Sequence, residues 1–73
     1  MTISELSPRY DARKSFYGKA HLIHHNDGTI QLQSYNTVVC EIDKNGVFRM
    51  LWDGSTQTTN RHIKEFKKQF NII

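Results

Sequence analysis

Apolar residues recur at two different spacings along this chain, and the change of spacing divides it. Between Ser15 and Trp52 they alternate with polar residues; after Thr56 they fall three and four apart. Alternation puts successive side chains on opposite faces of a strand, whereas the wider spacing lines one side of a helix. SFYGKAHLIHH (15–25) reads as a strand with Phe16, Ala20 and Leu22 on one face and Tyr17, Lys19, His21 and Ile23 on the other. Asn26-Asp27-Gly28 reads as a turn, because Asp-Gly readily takes the positive φ angles of a tight hairpin. In TIQLQSY (29–35), Ile30 and Leu32 face inward and Gln31, Gln33 and Tyr35 outward. TVVCEID (37–43) has the β-branched content of a strand, with Val38, Cys40 and Ile42 on one face and Val39, Glu41 and Asp43 on the other. Lys44-Asn45-Gly46 repeats the turn chemistry, and VFRMLW (47–52) is the fourth strand. Phe48, Met50 and Trp52 are assigned to its core face, since that choice leaves Arg49 in water.

Asp53-Gly54 closes the sheet region, and Ser55, Thr56, Thr58 and Thr59 can each accept a hydrogen bond from the free amides of a helix start. The helix spans 56–70, with Ile63, Phe66 and Phe70 as the stripe facing the sheet and Arg61, Lys64 and Lys68 on the far side, Lys67 beside them. Residues 1–14 read as an irregular arm with room for a helical turn over 2–6, because Pro8 interrupts a regular element. Short turns pair neighbouring strands. The expected fold is therefore α+β: an antiparallel four-stranded meander (ββββα) over 15–52, with one C-terminal helix packed across one face, all in one domain over 1–73.

Length and charge narrow the function. At 73 residues there is little room for a water-excluding pocket as well as a core, which favours a module that works through its exterior. The net charge of +3 is unevenly spread. Both ends are basic, through Arg9, Arg13, Lys14 and Lys19 at one and Arg61, Lys64, Lys67 and Lys68 at the other. The middle is mildly acidic through Asp27, Glu41, Asp43 and Asp53. Such ends attract phosphates or acidic protein surfaces and argue against mimicry of DNA. One cysteine, Cys40, allows no internal disulfide and fits a reducing compartment. MTISELSPRY has no basic flank before an apolar core, and no apolar run reaches the ~20 residues of a membrane helix. A cytoplasmic location and no membrane partner are expected.

Candidate chemistry is sparse. His24 and His25 point to opposite faces of a strand, and His21 and His25 lie ~13 Å apart at ~3.3 Å per residue, so no metal site is expected and surface positions are the default for the histidines. Cys40, among valine and isoleucine, reads as packing rather than as a nucleophile. No cofactor is expected and no catalytic residue is assigned. The surface is richer. Tyr17, Lys19, Tyr35 and Arg49 on the open sheet face can stack bases and hold phosphates or anchor a protein. The basic helix side can track phosphates. Burial of Ile23, Val39 and Leu51 in a homodimer is the third option for that face.

YDARKSFYGKA (10–20), SYNTVVC (34–40) and LWDG…TTNRHIKEF (51–66) together resemble a family of small uncharacterised proteins carried by phages, plasmids and other mobile elements of Gram-positive bacteria. On that resemblance the signature positions are Tyr10, Asp11, Arg13, Phe16, Tyr17, Gly18, Trp52, Gly54, Thr58, Thr59, His62, Ile63 and Phe66. Packing accounts for most of these, but not for Tyr10, Asp11 and Arg13. Small cytosolic proteins of such origin often work by occupying a host machine, and by that analogy of origin and size the expectation is a non-enzymatic inhibitor, in its most concrete form an anti-CRISPR protein that binds a Cas9-type nuclease with its guide RNA. The alternative is a small nucleic-acid-binding module. The partner-binding residues expected under these readings are Tyr10, Arg13, Tyr17, Lys19, Tyr35, Arg49, Arg61, Lys64, Lys67 and Lys68.

Overall fold

A computed structural model describes residues 1–12 and 15–72. Five strands, β1 (Thr2–Glu5), β2 (Ala20–His24), β3 (Ile30–Ser34), β4 (Thr37–Ile42) and β5 (Phe48–Met50), precede one helix, α1 (Gln57–Gln69). The fold is α+β, and the sheet is antiparallel throughout, in the order β1-β2-β3-β4-β5. The expected meander and C-terminal helix are present, but among the described residues the strands number five rather than four. The extra one is β1, where an irregular arm or helical turn was expected. All four of its residues are exposed. It is held by backbone pairing to β2, from Thr2 opposite His24 to Glu5 opposite His21, so it carries no burial pattern for a sequence reading to detect.

Two further expectations change with the backbone. β2 begins at Ala20, not Ser15, because Tyr17 and Gly18 both take positive φ (55° and 72°) in a turn closed by the Lys19 amide donating to the Phe16 carbonyl at 3.0 Å. Tyr17 and Lys19 therefore sit at a sheet corner rather than on an open face. In β4, Gln33 pairs with Val38 and Leu32 with Cys40, leaving Val39 as an inserted residue. Such a bulge breaks strict alternation. Val39 and Cys40 are both buried, so Val39 belongs to the core and is not available to an outer-face homodimer. Met50 is the opposite correction: placed in the core by alternation, it is half exposed at the sheet's edge.

α1 lies across the inner face. Thr56 is the N-cap, its hydroxyl accepting from the Thr59 amide at 3.2 Å, which selects one of four candidate caps. Ile63 and Phe66 join Leu6, Phe16, Ala20, Leu22, Leu32, Val39 and Cys40 in the buried core, with Phe48, Trp52 and Phe70 packed at its edge. Phe66 is fully enclosed, a burial that stabilises by about 2–3 kcal/mol relative to exposure. The same helix buries Thr59, His62 and Glu65, His62 against expectation. The outer sheet face carries a polar row. His25 bonds Gln31 at 2.7 Å, Gln31 donates to Glu41 at 2.9 Å, and Arg49 bridges Glu41 and Asp43, each at 3.3 Å. Among the described residues no helix is long and apolar enough to cross a membrane.

Candidate functional site

The residues that matter gather where the segment after β1 crosses α1. Glu65 is one turn C-terminal to Arg61 and points under that segment. The amides of Arg9, Tyr10 and Asp11 donate to its carboxylate at 3.0, 2.9 and 2.9 Å, and the Gln69 side chain donates at 2.6 Å. Gln69 also donates to the Ser7 carbonyl at 2.7 Å. Burial opposes ionisation of Glu65, but the Gln69 bond and the three amides outweigh it and hold the carboxyl below its ordinary range. Arg61 adds a second clasp, an ion pair to Asp11 at 3.0 Å. Three consecutive amides on one buried carboxylate explain the segment's fixed course over the helix.

This clasp creates a groove of about 460 Å³ whose walls include Tyr10, Arg61, Lys64 and Lys68. Its two acids are committed, Asp11 to Arg61 and Glu65 to the backbone. Lys64 and Lys68 are exposed, and among the described residues no carboxylate forms an ion pair with either. The groove is therefore polar, open and positive. Lys67 turns the other way, its ammonium 4.9 Å from the centre of the Phe48 ring, where it covers the core's edge. A shallow hollow near the helix's end also includes Tyr10, Lys67 and Lys68.

Arg61 also borders a second, smaller concavity of about 70 Å³, shared with Phe16, Tyr17, Lys19, Tyr35, Thr58 and His62. His62, in its lining, belongs to a buried polar cluster. The Ser34 hydroxyl lies 2.8 Å from His62 Nδ1 and 3.0 Å from the Thr59 hydroxyl, and the Phe16 ring meets the imidazole edge-on at 4.5 Å. Its rim is two tyrosines, Tyr17 and Tyr35, with the Lys19 ammonium 5.7 Å from the centre of the Tyr35 ring. Tyr35 has φ 56° at the first position of the two-residue loop between β3 and β4, and Tyr17 has φ 55°. A left-handed backbone costs a bulky residue about 1–2 kcal/mol. The Tyr35 amide donates to the Lys19 carbonyl at 2.7 Å, tying the two turns together.

Of the residues singled out in the sequence, Tyr10, Arg61, Lys64 and Lys68 share the groove, and Tyr17, Lys19, Tyr35 and Arg61 share the smaller concavity. Arg49 is not among them; it lies on the outer sheet face between two carboxylates. Arg13 lies outside the described residues. Glu65 is the residue that sequence reasoning passed over, and His62, a signature position of the resemblance, was expected at the surface and is buried. His62 stands four before Phe66 and three after Thr59, so the helical stripe itself carried the signal. Cys40 is buried, and desolvation pushes its thiol up to about 12. Among the described residues no group of three or more histidine, cysteine or acidic side chains is arranged to hold a metal ion.

A model of a family of unknown function, DUF8033, matches residues 4–72. The chain belongs to that family. The matched span runs from β1 past the end of α1 and includes both concavities. No curated protein and no solved structure matches the chain.

Proposed function

We propose that the protein is a non-enzymatic binding module that inhibits a host nucleic-acid-handling machine, in its most concrete form a Cas9-type nuclease loaded with guide RNA. The observation that carries this is the groove beside α1, where Lys64 and Lys68 stand exposed next to Arg61 while the neighbouring acids are engaged elsewhere. A row of cations on a rigid helix suits a partner that presents phosphates or acidic side chains. Nucleases of that class depend on domain movements around a basic channel that holds guide and target, and a small rigid wedge on the bound nucleic acid obstructs them. The anti-CRISPR form comes from the resemblance to mobile-element proteins rather than from the groove.

The test mixes the purified protein with guide-loaded nuclease and follows target cleavage and co-elution. Inhibition with a stable complex, lost in the double variant Lys64→Glu/Lys68→Glu, supports the reading. Full cleavage and separate elution with representative nucleases would remove it. A second reading, a module that binds nucleic acid unaided, is favoured by the exposed tyrosines beside Lys19 and Arg61. It expects binding whose logarithm falls with log salt at a slope of about 2, from roughly three phosphate contacts to a single strand. Salt-independent binding, or none at low salt, would exclude it.

A further inference from the structure

We propose that the concavity between the Tyr17 and Tyr35 turns is a binding site for an unpaired nucleotide, its base stacked on the tyrosine rings and its phosphate held between Lys19 and Arg61. This rests on the second reading above and gives it a definite ligand. The starting observation is that two turns, brought together by the Tyr35 amide on the Lys19 carbonyl, both place tyrosine where the backbone favours glycine. Strain of this kind persists where the position serves something other than stability, and it is found at ligand clamps. Burial offers no such reason at Tyr17, and at Tyr35 only partial cover and a tilted contact with the His62 ring at 6.1 Å. The Tyr17 side chain is largely in solvent and Tyr35 is half exposed.

The chemistry of the rim selects the ligand. The Tyr17 ring, largely in solvent, and the exposed part of the Tyr35 ring, which also meets the His62 ring at 6.1 Å, offer aromatic surface to any planar base, because stacking is tolerant of sequence. Lys19 and Arg61 at the same mouth repel an organic cation, which excludes the ammonium ligands that aromatic cages otherwise take. Arg61 spends one terminal nitrogen on Asp11 and has further N–H donors, and it lines the larger groove as well, so it joins the two concavities. A chain whose phosphates lie along Lys68, Lys64 and Arg61 reaches the tyrosines without leaving the protein surface. The space of about 70 Å³, room for roughly two waters, admits a phosphate oxygen or a base edge but not a whole nucleotide. The base therefore stacks at the rim. In a duplex that base face is covered by its neighbours, so the site discriminates in favour of single strands.

The test uses fluorescein-labelled oligo-dT and oligo-U of about ten nucleotides, and a duplex of about twenty base pairs, in anisotropy titrations at about 50 mM salt. Wild-type protein is expected to bind the single strands several-fold more tightly than the duplex. Tyr17→Gly and Tyr35→Gly are each expected to weaken single-strand binding roughly five-fold or more, the lower end of what base stacking on an aromatic ring contributes. Glycine takes positive φ without strain, so both variants should melt at or above the wild-type temperature, which separates lost binding from lost folding. Wild-type affinity in both glycine variants, equal affinity for duplex, or no single-strand binding at all would overturn the proposal. If Lys64→Glu/Lys68→Glu abolishes salt-dependent single-strand binding while both tyrosine variants keep wild-type affinity, this site falls and the second reading stands on the helix cations alone.

Discussion

Replacing Glu65 with glutamine tests the clasp that shapes the groove. The change keeps the side chain's size but removes its charge, and it turns one acceptor oxygen into a donating NH₂ group. Three backbone amides at 2.9–3.0 Å now depend on that carboxylate. A hydrogen bond to a charged group contributes about 1.5–3 kcal/mol against about 1 for a neutral one, so three bonds lose roughly 3 kcal/mol together. One amide donor left facing the new NH₂ group adds about 1 kcal/mol or more. Glu65→Gln should therefore destabilise by about 3–4 kcal/mol. A chain of 73 residues has a total stability of about 4–11 kcal/mol at ~0.05–0.15 kcal/mol per residue, so the loss is a large share of the whole. At ~4–8 °C per kcal/mol the melting temperature should fall by roughly 12–30 °C. Far-UV circular dichroism and Trp52 fluorescence, followed through heat and urea, measure it. The pH dependence adds a second check. The folded Glu65 carboxyl ionises below its ordinary value of 4.5. Its contribution is therefore present above that value and is lost as pH falls through the lower folded one. The gap between wild type and Glu65→Gln should narrow on acidification from pH 7. A melting temperature within about 2 °C of wild type at neutral pH would refute the reasoning.

Two other outcomes follow from the same structure. Cys40, buried with its thiol raised to about 12, should resist a disulfide reagent at pH 8 in the native protein and react promptly in urea; fast native reaction would contradict its burial. Gly28→Ala and Gly46→Ala should differ although both positions have positive φ (95° and 82°). A methyl at Gly28 would lie 2.9 Å from the Lys44 Cβ, whereas one at Gly46 meets nothing within 4 Å. Gly46→Ala should cost about 1 kcal/mol from the backbone alone and Gly28→Ala roughly twice that, read as shifts in urea midpoint.

What could be read from the sequence was local. Asp27-Gly28 and Asn45-Gly46 mark their turns by chemistry confined to adjacent residues, and Ile63, Phe66 and Phe70 mark the helix's inner side by spacing alone. The features missed depend on distant partners. β1 has four exposed residues and exists through amides and carbonyls on β2, which any sequence could supply. The Val39 bulge is a mismatch between β3 and β4, not a property of TVVCEID by itself. Glu65 looks like one more solvated charge on a basic helix until the amides 54 to 56 residues earlier are laid over it. The candidate residues on α1 were legible because helical spacing groups them. Tyr17, Lys19 and Tyr35 were recognised as exposed, but their meeting with Arg61 required a tight turn at Tyr17-Gly18 that alternation had drawn as continuous strand, and its tie to the turn at Tyr35, which alternation had placed at a strand's end.

Every strand in this fold pairs with its neighbour in the chain, while the element that covers them is made after all of them. Hairpins can therefore zip together as they leave the ribosome, yet their greasy side stays bare until the stretch from residue 57 onward is free to lie down on it. For that interval the nascent sheet is a sticky surface seeking a cover, and a pause in translation just before α1 is when trigger-type chaperones or aggregation would compete for it.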